Sequence, residues 1–124
     1  MRPLHASWTT WVFRLVSTAA AVLLFDQAVF AGRFLSGDYP ALHLHRENAT
    51  FAGVAMLFVL AAAILVWRPG RGPWWPIAAC GGLFGLIAAQ IALGFAQVLA
   101  IHIPLGVSII LLSAALAVWG WIRL

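Results

Sequence analysis

The chain has 124 residues, 65% of them hydrophobic and 8% charged, where a soluble domain is roughly half apolar and about a quarter charged. That leaves too little polar surface to cover a water-soluble globule, so the composition makes lipid the solvent. The formal charge of +4 comes from seven basic residues, all arginine and all scattered, which excludes a nucleic-acid surface of clustered bases and exposed aromatics.

The first apolar run, Trp11–Gly32, is longer than a signal-peptide core and lacks a small-x-small cleavage site behind it, so it reads as a span. Turn chemistry follows in Ser36-Gly37-Asp38-Tyr39-Pro40. A second run covers Asn48–Trp67 and stops at Arg68-Pro69-Gly70-Arg71-Gly72-Pro73, a polar loop that no helix crosses. A third covers Pro76–Leu99 and a fourth Pro104–Ile122, with Pro104 expected in the first helical turn, where its missing N–H is not needed. Each run is about 20 residues, enough to cross ~30 Å of hydrocarbon at about 1.5 Å per residue. Backbone groups in lipid must pair within the segment, so each run is a helix. The expected fold is a single all-α, integral membrane four-helix bundle, up-down-up-down. The lone Cys80 cannot form an internal disulfide and reads as a small buried side chain.

Arginine counting orients the bundle. Arg2, Arg14, Arg68, Arg71 and Arg123 fall on one side, Arg33 and Arg46 on the other, which puts both termini in the cytoplasm. Trp8, Trp11, Trp67, Trp74, Trp75, Trp119 and Trp121 all map to that same side, where indole prefers the headgroup level. The expected location is a bacterial-type plasma (inner) membrane, multi-pass.

Polar chemistry concentrates at the opposite face, in Leu42-His43-Leu44-His45-Arg46-Glu47-Asn48. His45 opens the second span and His102 precedes the fourth. Two neutral imidazoles at one level on facing helices suit bis-histidine ligation of a b-type haem. Ala49, Ala52, Gly53, Gly94 and Gly106 would let a ring lie close, and Arg46 and Arg33 stand where they could neutralise propionates. His43 is the alternative ligand to His45; His5 reads as solvated. The bland reading of a histidine at a helix end is an amphipathic residue resting at the headgroups. The halves echo one another, Gln27, Gly32 and His45 against Gln90, Gly94 and His102, as a parallel repeat would.

Asp26 lies inside the first span, where a carboxylate needs a partner, a water-filled cavity or a proton. Arg33, at i+7 on the same face, is one candidate partner; a structural hydrogen bond to another helix, through Gln90, is the other. Gln90, Gly94 and Gln97 share a face of the third span and read chiefly as helix-to-helix glue. Gly81, Gly85 and Ala89 form a ridge for close packing, either within the chain or between chains. Glu47 reads as an anion favoured near a helix N-terminus. With no phosphate loop, zinc spacing or serine–histidine–acid set, soluble-enzyme chemistry is not expected.

The order Gln27, Gly32, His45-Arg46, helix, and again Gln90, Gly94, His102, helix, resembles one half of haem A synthase, and the whole chain resembles small four-span membrane proteins. The resemblance implies a four-helix bundle with His45 and His102 as axial ligands. Haem A synthase has two such halves where this chain has one. Its acidic residue before the first ligand has no counterpart among Leu42, His43 and Leu44, so the resemblance implies electron transfer or haem handling rather than oxidation on haem. The partners expected are the lipid bilayer and a membrane redox complex or a second copy. The competing expectations are a small proton-coupled transporter using Asp26, and a non-catalytic accessory subunit of a membrane complex.

Overall fold

A computed structural model describes residues 7–124; Arg2 and His5 lie outside the described residues. Four helices run in sequence: α1 Trp8–Leu35, α2 Ala41–Trp67, α3 Trp75–Phe95 and α4 Leu99–Arg123. Each is long and apolar enough to cross a membrane. α1 packs on α2 and α4, and α3 packs on the same two, while the diagonal pairs α1/α3 and α2/α4 do not approach through their backbones. This is the expected up-down-up-down bundle. Only 33% of the apolar window of α2, and less of the others, is buried inside it. Large apolar side chains such as Phe25, Phe51, Phe58 and Leu111 face outward, as they must if the surrounding medium is hydrocarbon.

Helices α1, α2 and α4 are longer than the expected apolar runs, while α3 is shorter, ending at Phe95 rather than Leu99. α1 has 28 residues and α2 has 27, and the histidine-bearing stretch Leu42–Asn48 is not a connection but the opening turns of α2. α1 stops at a Schellman motif, with Gly37 N–H donating to Phe34 O and Asp38 N–H to Arg33 O, both at 3.0 Å, and Gly37 at φ 100°. α3 stops in the same way, with Gln97 N–H donating to Gly94 O and Val98 N–H to Leu93 O. There the left-handed position is held by Gln97 at φ 57°, so helix α3 ends at Phe95 and Gln97 does not share a helical face with Gln90. The expected place of Pro104 is also corrected. α4 starts at Leu99 and Pro104 lies inside it, because the turn after Phe95 is compact enough for helix to resume at once. The middle loop is pinned beneath α2: Gly70 N–H donates to Leu65 O and Gly72 N–H to Val66 O. A Cβ on Gly70 would come 2.5 Å from Val66 O, and one on Gly72 would come 2.6 Å from Val66 Cγ1.

The core is unevenly filled along the bundle. Phe13, Met56, Val59, Ala63, Cys80, Leu83 and Leu116 close the tryptophan end and the middle. Beyond Leu24, Ala52, Ile87 and Ile109, toward the histidine end, the only buried described residues are Ala41 and Asn48. The tryptophans gather as expected at the other end, with Trp75 on Trp119 at 4.5 Å and Trp11 on Trp121 at 5.7 Å between ring centroids. Gly81 and Gly85 have nothing within 4 Å of where a Cβ would sit, so the α3 ridge faces away from the bundle and does not pack within the chain.

Candidate functional site

His45 lies in the second turn of α2 and His102 in the first turn of α4, on diagonally opposed helices whose backbones do not touch. Their rings do approach, with centroids 6.2 Å apart and planes at 63°. Each ring is held from the preceding helix in the same way. His45 Nδ1 lies 3.0 Å from the backbone carbonyl of Gln27, and His102 Nδ1 lies 2.9 Å from that of Gln90. A carbonyl can only accept, so both neutral rings carry their proton on Nδ1, and Nε2 is left with its lone pair. Neither Nε2 has a hydrogen-bond partner among the described residues. Two lone-pair nitrogens are thus held at one level from opposite helices.

The two halves reproduce one another at this level. Four residues after each glutamine stands a small residue, Ala31 or Gly94. Four residues after each histidine stands another, Ala49 or Gly106. One helical turn separates each pair, so each small residue sits beside the polar group. Gly94 is required locally, since a Cβ there would lie 2.9 Å from His102 Cε1. Gly106 gives room to Gln90, whose Nε2 would be 2.7 Å from an added Cβ and which donates to the backbone carbonyl of His102 at 2.8 Å. The repeat breaks at the glutamine side chains. Gln27 Oε1 accepts from Asn48 Nδ2 at 3.0 Å, and the same amide donates to Leu23 O at 2.7 Å. Leu105 stands at the matching place in α4, and Gln90 Oε1 is the one buried side-chain acceptor left without a partner among the described residues.

Two cavity lobes share the histidine pair as a common wall. One, of about 240 Å³, is bounded by Leu42, Arg46, Thr50, Ile91 and Phe95, toward α2 and α3. The other, of about 300 Å³, is bounded by Ala28, Gly32, Gly106, Val107 and Ile110, toward α1 and α4. Both are overwhelmingly apolar apart from His45, His102, Gln27, Gln90, Arg46 and Thr50. A few convergent polar groups in a greasy cavity is the usual build of a small-molecule site.

Of the residues expected at this site, His45, His102, Arg46, Gly94 and Gly106 come together. Arg46 lies along the first lobe with its guanidinium 5.4 Å from the Phe95 ring centroid. Arg33 does not join them. The Gly37 turn brings Asp38 back to it, and the two form an exposed ion pair at 2.6 Å. Asp26 is therefore not paired with Arg33, nor with Gln90. It is half-buried, lines neither lobe and makes no ion pair or hydrogen bond among the described residues. His43 points away and pairs with Glu47 at 3.3 Å on the exposed surface, which leaves His45 as the inward histidine of the two. No cluster of three or more His, Cys, Asp or Glu side chains suited to a bare metal ion exists among the described residues. Ala31 and Asn48 were not expected here. Their signal in the sequence is the spacing of four from Gln27 and of three from His45.

These features define an all-α four-helix protein with four candidate membrane spans and a paired-histidine cavity at one end. Comparison with known proteins returns no matching family model, no matching curated protein and no matching solved structure.

Proposed function

We propose that the cavity holds a b-type haem with His45 and His102 as its axial ligands, and that the protein transfers electrons or handles haem at the membrane. One observation carries the reading: two imidazoles with bare Nε2 nitrogens, fixed by backbone carbonyls on opposed helices, with ring centroids 6.2 Å apart. Two imidazoles bound to one metal at about 2 Å each, with about 1 Å more from nitrogen to ring centre, stand roughly 6 Å apart. Each Nε2 lone pair is left without a donor among the described residues; a single electron-pair acceptor between the rings would satisfy both. The lobes on either side of the pair give a macrocycle room to extend, and their apolar walls suit its faces. The carbonyls of Gln27 and Gln90 would orient the ligand rings and raise their basicity, the usual task of groups behind a metal-bound histidine. Arg46 would meet a carboxylate of the group at the outer rim of the first lobe. Bound there, the group would supply reversible one-electron exchange, its potential set by His45, His102 and the apolar walls.

The resemblance of the residue order to half of haem A synthase is what first suggests this reading. The arginine excess at the tryptophan end supports a cytoplasmic location for that end, with the site toward the outer face, and the membrane we propose is a bacterial-type plasma membrane. The geometry lends no support to a coupling role for Asp26, which stands outside both lobes. Purification in detergent and a reduced-minus-oxidised visible spectrum test the proposal. The wild type is expected to show a six-coordinate low-spin b-type spectrum, and His45→Ala and His102→Ala each to lose it. A wild type that stays colourless after haem reconstitution overturns it.

A further inference from the structure

At the tryptophan end, where α1 and α4 meet, Arg14 lies one helical turn deeper than Trp11 and is half-buried. Its guanidinium carbon is 5.3 Å from the Trp11 ring centroid and 5.3 Å from that of Trp121. Its Nε donates to the backbone carbonyl of Gly120 at 3.1 Å, one of the last four carbonyls of α4, which no intrahelical donor serves well. The flanking groups are themselves fixed. Trp121 Nε1 donates to Thr18 Oγ1 at 3.0 Å, and Thr18 Oγ1 donates to the carbonyl of Arg14 at 2.8 Å. The Trp121 N–H, which at a membrane surface would ordinarily reach a headgroup, is therefore spent within the protein.

The two terminal nitrogens of Arg14 have no acceptor among the described residues. The chain's acidic side chains are Asp26, Asp38 and Glu47, and all three lie toward the histidine end. No carboxylate side chain can balance Arg14. A half-buried guanidinium one turn inside the tryptophan level, held by two indoles and by a carbonyl on Nε, keeps its two terminal nitrogens for an outside acceptor. That edge of the planar fork matches two oxygens of a phosphodiester. Arg68, by comparison, stacks at 4.8 Å on Trp67 alone and lies at the exposed loop.

We infer that Arg14, Trp11 and Trp121 form a binding site for the phosphate of an anionic phospholipid, on the arginine-rich face of the bundle and independent of the haem site. The indoles border the acyl region and the fork takes the headgroup oxygens. The charge of the lipid supplies the counter-ion that no described acidic side chain provides. The whole protein, delipidated in detergent, is offered phosphatidylglycerol and phosphatidylcholine of identical acyl chains in equal amounts, and retained lipid is counted by native mass spectrometry. The wild type should retain phosphatidylglycerol about fivefold in preference, the order expected of one basic residue near an anionic surface. Arg14→Gln should abolish the preference. Arg14→Lys, which keeps the charge and is the safer variant for folding, should weaken it by losing the fork. Arg68→Gln should leave it intact, and excess inorganic phosphate should not displace the lipid. Equal retention of the two lipids by the wild type overturns the site. So does loss of preference in Arg68→Gln as complete as in Arg14→Gln, and so does displacement by inorganic phosphate, which would mark a small-anion site.

Discussion

The Cβ that Gly94 lacks would stand 2.9 Å from the His102 ring, against a side chain fixed from its other side by the Gln90 carbonyl. Gly94→Ala should therefore turn the ring rather than be absorbed, and lower haem affinity at least about tenfold while the helical circular dichroism is unchanged; a loss of 1.4 kcal/mol at the ligand suffices. At Gly106 the obstructed atom is the end of a flexible glutamine, which can swing aside, so Gly106→Ala should cost visibly less in the same titration. Asn48 ties α2 to Leu23 and to Gln27 through one amide. Asn48→Leu removes both bonds and leaves Gln27 Oε1 without its donor. Within a membrane such bonds average about 0.6 kcal/mol each, so thermal unfolding in detergent should show a destabilisation of about 1–2 kcal/mol.

Helix ends decide where the polar groups fall. α1 and α3 terminate in the same hydrogen-bond pattern, one with glycine and one with glutamine in the left-handed position. A side chain with a Cβ costs roughly 1–2 kcal/mol in that conformation. Gln97→Gly should accordingly stabilise the protein by about 1 kcal/mol in thermal unfolding, and Gly37→Ala should destabilise it by a similar amount. The motifs also set the reach of each pair: α2 resumes so soon after α1, and α4 after α3, that each histidine lands beside the glutamine carbonyl of the helix before it. At the opposite end α1 and α4 approach closely at Gly120, where an added Cβ would meet Phe13 Cε1 at 2.9 Å. Phe13 is fully buried and cannot yield, so Gly120→Ala should destabilise by about 1–3 kcal/mol, in the range of overpacked cores.

Packing over the whole molecule is lopsided. The tryptophan end is closed by Phe13, Met56, Cys80 and Leu116, while the histidine end is divided by two apolar lobes. A bundle built this way has its weakest packing where its ligand would sit, and a ligand that binds only the folded form adds RT ln(1 + [L]/Kd) to stability, about 4 kcal/mol at a thousandfold excess over Kd. Haem loading should therefore raise the unfolding temperature. It should slow amide hydrogen exchange chiefly in residues 24–35, 41–52, 87–95 and 99–109, with little change around Phe13 and Leu116. Uniform protection along all four helices would count against a ligand confined to the histidine end.

The membrane architecture was legible in residue order because it depends on quantities that add along the chain: the length of each apolar run, the need for every backbone group in lipid to pair within its segment, and the side on which indoles and guanidinium groups gather. Helix number, order and the single tryptophan end followed from these. His45 and His102 stood out because imidazoles are scarce in so apolar a chain, and the order glutamine, glycine, histidine, helix, met twice, suggested the repeat. What only the tertiary structure decided were relations between side chains on different helices. Arg33 turned to Asp38 rather than to the site because a glycine turn reversed the chain. Asp26 was left outside both lobes by the rotation of α1. The glutamines mattered through their backbone carbonyls, which every residue possesses and no residue type announces. Such relations depend on helix rotation and on where a turn lets the next helix begin, and a left-handed glutamine at position 97 shows that the turn need not carry its usual residue.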